Sequence, residues 1–451
     1  MMNKKYDLAV IGGGWAGIAC AAAAGRRGAS VLLIERSNSL GGLATNGFIG
    51  GMLGYQTMSK TPRVVVRGEF ERLLKKLHAA GGAPLFHAKA GPIHFDPELM
   101  KIVAEDMLAE VNVDIMYNTT AIGAKRNGNR IENVELYTTG ERPVITAQNY
   151  VDCTGNGELI EQCGAEYEFG RPGDGLVQAL GLVVYFTGLS PDWVKDAQAI
   201  RDALEEERRT ARIGIYHANV VAPETAWGYG GMSSCAVRVG GIREAADPRN
   251  ARELSAAQSR MRQSAQRIMQ VCRKVSPAFA HATIVYPSQP GIREARRLKG
   301  LYVINESDIV KATKFPDSVA RGCYWIDIHC PMGYSDDVFL CNGECQTRHS
   351  CRQREEFPQL ISAQLTPPED EYFTIPLRAL CSCNTENLQA AGRCLSATSG
   401  AIAATRVMAI CAATGEAAGV AAVHSSREQY PVSQIGISKL QEDLQQNGAL
   451  I

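Results

Sequence analysis

The run Gly12-Gly13-Gly14-Trp15-Ala16-Gly17 constrains this chain more than any other feature. It sits between a short apolar segment (residues 6–11) and a stretch of small residues (16–27), so a strand leads into it and a helix leads out. In that context a G-x-G-x-x-G is the phosphate turn of a dinucleotide-binding unit. Gly12 permits the tight turn, Gly14 lets backbone approach a pyrophosphate, and Gly17 lets helix and strand pack closely. The helix start, including Trp15 and Ala16, then offers unpaired N–H groups and a partial positive charge. A second strand, residues 31–35, ends in Glu35. A carboxylate there accepts hydrogen bonds from a ribose diol and repels a 2′-phosphate, which disfavours NADP.

Three further segments bear on which dinucleotide is held. Leu40-Gly41-Gly42-Leu43-Ala44-Thr45 follows the second strand. FAD is longer than NAD, and its flavin half needs more backbone that can be approached closely, which two glycines, a small residue and a hydroxyl allow. Val151-Asp152-Cys153-Thr154-Gly155-Asn156-Gly157 reads as a strand ending in Thr154-Gly155 before a helix. Near the other end, a strand over 388–391 reaches Gly392-Arg393, and an Ala-rich helix follows from about 406 to 423. Such a helix can aim its N-terminus at the flavin edge where charge accumulates on reduction. The cofactor expected is FAD.

Between these ends the chain changes character. Residues 66–80 and 96–110 read as helices. Residues 114–124 and 130–137 read as paired strands about the turn Asn127-Gly128-Asn129, and 148–153 as a strand. Residues 180–186 are strand-like, 197–212 and 249–275 helical, 282–288 and 301–305 strand-like, and 331–370 polar and irregular. The expected fold is α/β: a Rossmann-like FAD-binding domain, with a parallel sheet, helices and a β-meander, formed by residues 1–165 and 385–451. An α+β substrate or cap domain, residues 166–384, is interleaved with it. For 451 residues, two or three domains is the ordinary expectation.

Lys plus Arg and Asp plus Glu both number 47, so no basic footprint for nucleic acid or a membrane surface is present. The least polar stretch, 401–422, is broken by Thr405, Arg406, Thr414 and Glu416, too interrupted for a spanning helix. Asp7 and the glycine run argue against reading the N-terminus as a signal peptide. A cytoplasmic protein with a small-molecule substrate is expected, and the fourteen cysteines are expected to be reduced thiols. Oligomeric state has no signature here.

Taken together, these segments resemble the FAD-dependent oxidoreductases of the glutathione-reductase-like superfamily, in the group called FAD dependent oxidoreductase. The residues that carry the resemblance are 12–17, Glu35-Arg36, 40–45, 154–157, Gly291-Ile292-Arg293-Glu294, residues 324–329 and Ala391-Gly392-Arg393. It spans nearly the whole chain and is thinnest over about 191–281 and 332–367. It implies an interleaved FAD domain and substrate domain, with Gly12, Gly14, Trp15, Ala16, Gly17, Glu35, Arg36, Gly41, Gly42, Leu43, Ala44, Thr45, Thr154, Gly155, Gly392 and Arg393 toward the cofactor. It implies no substrate, because fold does not name a reaction.

For chemistry the candidates lie in the middle. Trp325, Asp327 and His329 alternate with Ile326 and Ile328, so a strand would set the three on one face, with Asp327 and His329 about 6.5–7 Å apart. His329 could then move a proton while hydride moves to or from flavin N5, with Asp327 orienting it or binding substrate. Arg293, in a helix start expected after Pro290-Gly291, could clamp a carboxylate. Arg297 would fall one helical turn later on the same face, Arg296 is offset from it, and Arg321 is a similar, weaker candidate. Cys330, Cys341, Cys345 and Cys351 raise a metal cluster as an alternative, but their spacing matches neither the tight ferredoxin patterns nor a zinc ribbon, so no metal is expected. The leading expectation is an FAD-dependent hydride-transfer enzyme. An electron-transfer flavoprotein with a cysteine-held cluster and a flavin redox sensor without turnover are the alternatives.

Overall fold

The structure is a computed structural model; it describes residues 4–86, 91–210, 221, 235–332 and 365–451. Strand β1 (Lys5–Ile11) passes through the glycine turn into helix α1 (Trp15–Gly25), which returns to β2 (Val31–Ile34), parallel to β1. Every residue of α1 is buried, so only small side chains fit around it. Helix α2 (Glu69–Ala79) is amphipathic, and α3 (Pro97–Ala109) is capped by Asp96, whose carboxylate accepts from the amides of Glu98 and Leu99. Strand β3 (Asp114–Met116) follows, then β4 (Thr120–Asn127) and β5 (Arg130–Tyr137), joined at Gly128, then β6 (Val144–Asp152).

The middle of the chain forms β7 (Leu180–Thr187), α4 (Ala197–Arg209), β8 (Ala236–Glu244), α5 (Ala251–Val275) and β9 (Thr283–Val285). Among the described residues β8-β7-β9 is an antiparallel sheet, and it shares one core with α4 and α5 that includes Trp193, Leu204, Met261 and Phe279. An antiparallel pair, β10 (Ser318–Gly322) and β11 (Phe373–Pro376), comes next. The chain closes with β12 (Leu388–Ala390), α6 (Met408–Glu428) and α7 (Ile437–Gln446).

The seven-stranded sheet has the order β3-β2-β1-β6-β5-β4. Strand β6 is its fork: its first half pairs with β5 in the antiparallel meander, and its last three residues pair with β12, parallel. The C-terminal segment thereby joins the N-terminal sheet. Val319, Phe373 and Ile375 of β10 and β11 belong to the same core as α1 and α6.

Helices α1 and α6 cross almost backbone to backbone. A Cβ on Gly415 would lie 2.0 Å from the Ala16 carbonyl oxygen, and one on Gly419 would lie 2.2 Å from that of Cys20. Each pair is one turn from the next, so the two helices meet along a shared stripe.

Residues 291–296 and 301–305 depart from the sequence expectation. Residues 291–296 form no helix: Gly291 and Gly181 exchange both backbone hydrogen bonds (2.7 and 2.9 Å), and Arg297-Leu298 pairs with Tyr167-Glu168. Residues 301–305 form no strand, only a bridge between Ile304 and Ala397. In both places long-range pairing overrides local pattern.

Beside the stripe, Glu416 is buried, its carboxylate accepting from the Glu69 amide (2.9 Å) and the Asn447 side-chain amide (3.2 Å). Glu69, also buried, is held by Arg26 and Arg72. Burial first, then the charge of Glu69, pushes the Glu416 carboxyl up to about 7. A carboxyl raised above its unfolded value stabilises the fold fully below pH ~4.5 and loses that contribution as pH rises through 7. Glu416→Gln is therefore expected to match the wild type in melting temperature at pH 5 and to exceed it at pH 8; a variant no more stable at pH 8 contradicts this. Gly415→Ala is expected to lower the melting temperature, because roughly 1–3 kcal/mol of overpacking outweighs the ~0.5–1 kcal/mol that alanine contributes within a helix. An unchanged or higher melting temperature would mean that the helices do not meet this closely.

Candidate functional site

The glycine turn is built by backbone contact. Gly12 adopts φ +104°, and a Cβ there would lie 2.6 Å from the Cys153 backbone; a Cβ on Gly17 would lie 1.8 Å from the Gly12 carbonyl oxygen. The Gly13 amide donates to Glu35 Oε2 at 2.6 Å, and Glu35 Oε1 accepts from the Ser37 amide and hydroxyl at 2.8 and 2.7 Å. Glu35 is thus buried and fixed beneath the turn. The Gly41 amide donates to the Gly13 carbonyl at 2.8 Å, which brings the second glycine loop alongside the first.

A cleft of about 340 Å³ opens over these loops, with Gly14, Gly42, Glu35, Thr154 and Arg393 on its walls. Trp15, Ala16, Arg36, Gly41, Leu43, Ala44, Gly155 and Gly392 also line it. Gly17 and Thr45 do not: Gly17 packs on Gly12, and the Thr45 hydroxyl donates to the Leu40 carbonyl (2.6 Å), holding the second loop in shape. Arg36 spans the rim, bonded to Glu158 (2.9 Å) and Gln289 (3.0 Å).

The cleft suits an elongated anion flanked by aromatic or apolar ends. A Cβ on Gly42 would lie 3.0 Å from the Gly14 Cα, so side chains here would fill the passage. Helices α1 and α6 both begin on the cleft, and neither has a side-chain cap. Arg393 is buried; its Nη2 donates to Asn156 Oδ1 at 2.8 Å, while its Nη1 has no partner among the described residues. Burial draws this guanidinium down to about 10.

At the α6 end the cleft turns polar. His329 Nε2 lies 3.0 Å from Asp327 Oδ2, and Arg406 donates to the same oxygen at 3.2 Å and to the Asp327 carbonyl at 3.0 Å. The segment carrying Asp327 and His329 is not part of a β-ladder, yet the expected shared face holds for these two. It does not hold for Trp325, which stacks on Tyr324 (centroids 4.0 Å apart); Tyr324, not Trp325, lines the cleft. The His329 amide donates to Gln178 Oε1 (3.2 Å), fixing the segment against β7's approach.

Arg293 also lines the cleft, lying over Gly181 and donating to the Ala179 carbonyl at 2.7 Å. Its neighbours are not at the site. Arg297 is fully buried in a pair with Glu294 (2.5 Å), Arg296 pairs with Glu161 (2.5 Å), and Arg321 donates to the Ile451 carbonyl at 2.9 Å. Burial, then the charges of Arg293 and Arg243, hold the His329 imidazole down at about 3, against the pull of Asp327. Asp327 lies well below the usual carboxylate range: burial opposes this, but His329, Arg406 and Arg293 prevail. At neutral pH the pair is a carboxylate receiving a hydrogen bond from a neutral imidazole. The remaining ring nitrogen, Nδ1, is buried without a partner among the described residues.

Sequence reasoning did not single out Arg406 or Tyr324. Arg406 had a signal, a lone cation in an otherwise small and apolar run at a helix start. Of the cysteines, Cys153 and Cys411 line the cleft, and burial pushes both thiols up, Cys411 to about 12. They are protonated and poor nucleophiles. Among the described residues no group of three or more His, Cys, Asp or Glu could hold a metal ion; Cys341, Cys345 and Cys351 lie outside them. No helix of the described residues is long and apolar enough to cross a membrane.

The family model described as FAD dependent oxidoreductase matches residues 7–444, and the chain belongs to that family. A thiamine thiazole synthase from Methanoculleus marisnigri is 42% identical over 78 residues, a match that covers 17% of this chain and 27% of that enzyme. Among solved structures, a myxobacterial chondrochloren halogenase, one of the FAD-dependent halogenases, aligns over 98% of this chain and 79% of its own at 13% identity, with a TM-score of 0.40. A geranylgeranyl bacteriochlorophyll reductase-like protein from Thermoplasma acidophilum aligns over 97% and 90% at 9% identity, also with a TM-score of 0.40.

Glu35 gives a direct test of the loop. Glutamine has one acceptor oxygen for the three donors now served, and it turns an N–H toward one of them. Glu35→Gln is expected to weaken FAD binding to apoprotein roughly 10–100-fold in a fluorescence titration. An unchanged dissociation constant contradicts the tethering role.

Proposed function

We propose that the enzyme exchanges hydride between a small organic substrate and FAD, and that His329 handles the accompanying proton. The observation that supports this most is the Arg406–Asp327–His329 cluster, set on the cleft at the start of α6 with one imidazole nitrogen unclaimed. FAD, when bound, supplies a two-electron carrier that accepts or donates hydride at flavin N5.

In this reading the residues toward the cofactor are Gly12, Gly14 and the first amides of α1 for the pyrophosphate, Glu35 for the ribose, and the Gly41–Gly42 loop for the middle of the molecule. Arg393 supplies positive charge, and Thr154, Gly155 and Gly392 allow close approach. Arg36 closes the rim, and Gly17 and Thr45 shape the loops from behind. The α6 N-terminus faces negative charge at the flavin end.

Asp327 fixes the imidazole tautomer: its carboxylate accepts from Nε2–H, which leaves Nδ1 as the acceptor. Arg406 holds Asp327 in place and ionised. A neutral imidazole can take a hydroxyl or amine proton as the substrate is oxidised, and Asp327 stabilises the imidazolium that results. Tyr324 and the buried surroundings exclude water from the exchange.

His329→Asn is expected to retain FAD and to slow flavin reduction by the substrate roughly 10²–10⁴-fold, with a flattened pH profile. The measurement is anaerobic flavin bleaching across pH, with the substrate taken from a panel of alcohols, amines, sugars and carboxylates. Unchanged reduction across pH would remove His329 from the chemistry.

A further inference from the structure

We infer that the substrate is a carboxylate whose oxidisable carbon carries a hydroxyl or amino group next to the acid, a 2-hydroxy or 2-amino acid, with its acid group against Arg406 and Arg293 and its hydroxyl or amine at His329. This rests on the hydride-transfer reading and adds a substrate class to it.

The spacing supplies the first argument. Arg406 Nη2 and His329 Nε2 both touch Asp327 Oδ2, at 3.2 and 3.0 Å. The cation and the base are therefore held within about 6 Å of each other, with one hydrogen bond to spare on each side. The unclaimed atoms beside that shared oxygen are Arg406 Nε and His329 Nδ1, and a carboxylate at the first with a hydroxyl or amine on the next carbon at the second makes a compact bridge between them.

The second argument is the state of the polar atoms. Arg406 Nε is buried and has no partner among the described residues, and neither has Nδ1 of His329, whose side chain is 11% exposed. Each such orphan costs roughly 1–3 kcal/mol, which an incoming acceptor at Arg406 and an incoming donor at His329 remove. One carboxylate oxygen and one hydroxyl or amine proton fit that demand in sign. Asp327 and Arg406 lie at this end of the cleft with Arg293, whereas Glu35 and Glu158 line the glycine-loop end.

The third argument joins recognition to chemistry. Among the described residues, the charged and titratable groups around the Asp327–His329 pair are Arg406, Arg293, Arg243 and Tyr324. Arg293 and Arg243 disfavour protonation of the His329 ring. A substrate carboxylate beside Arg293 offsets that cation, so the base strengthens when an acid is bound and stays weak when a neutral molecule is bound. The bond changes balance: the carbon next to the acid loses hydride, two electrons and a proton, to FAD; its hydroxyl or amine proton passes to His329 Nδ1; a 2-oxo or 2-imino acid leaves.

The test uses the FAD-loaded enzyme, anaerobically, with glycolate, lactate, malate and alanine, each beside its methyl ester. At least one acid is expected to reduce the flavin ~100-fold more efficiently than its ester, and Arg293→Met is expected to abolish that preference mainly by raising the half-saturating concentration, with FAD content unchanged. Equal rates for acid and ester, or an undiminished preference in Arg293→Met, overturn the inference and leave the hydride reading standing. If no compound bleaches the flavin, oxalate titration decides the matter separately. A saturable change in the flavin spectrum that Arg293→Met removes supports the carboxylate site while the hydride reading falls; no such change overturns the inference as well.

Discussion

The Gly12 carbonyl oxygen lies where a side chain on Gly17 would begin, 1.8 Å from that Cβ position, and the Ala16 carbonyl meets Gly415 in the same way at 2.0 Å. Helix α1 is therefore locked from two sides, by the turn that precedes it and by α6, which crosses it. No side chain separates these backbones, so there is little to compress or rotate. The position and direction of the α1 N-terminus follow from this, and so does the attachment of the C-terminal segment to a sheet whose other strands lie more than two hundred residues earlier. Glu35 and the Gly41 loop are then fastened to the same turn by hydrogen bonds.

The cleft that results is graded. At one end backbone amides and helix starts dominate, with Glu35 pinned below them and Arg393 buried beside them. At the other end side chains dominate: Asp327 collects a guanidinium and an imidazole on one oxygen, and Arg293 reaches in over Gly181. The first end offers backbone groups of the kind that hold phosphates in dinucleotide folds. The second is built from side chains, and its low-dielectric surroundings make each charge count for more than it would in water. Helix α6 links the two, since it packs on α1 and begins at the polar cluster.

How much of this could be read in the sequence follows from how local each cause is. The strand–turn–helix at 5–25, the carboxylate after β2, the Gly128 hairpin and the return at Gly392 were legible because glycine geometry and apolar periodicity act over a few residues. The pairing of Asp327 with His329 was legible from their spacing alone, although the strand invoked to explain it is not laddered. Arg293 reached the cleft for a different reason than expected: Gly291 is pulled into extended pairing by Gly181, 110 residues away, and no helix forms. Arg406 and Tyr324 were missed because their roles exist only once α6 is laid against α1 and residues 324–329 are brought up to it. Arg297 was overvalued, since its partner is Glu294 inside the core.

The central claim is that the reacting end of the flavin lies at the Asp327–His329–Arg406 cluster, under the start of α6. A crystal structure of the protein with FAD bound tests it most directly. The account predicts the pyrophosphate over the first turn of α1, a ribose on Glu35, and the flavin ring at the α6 N-terminus with His329 on the substrate side of N5. A flavin ring turned away from α6, with His329 shielded from N5 by protein, would contradict it.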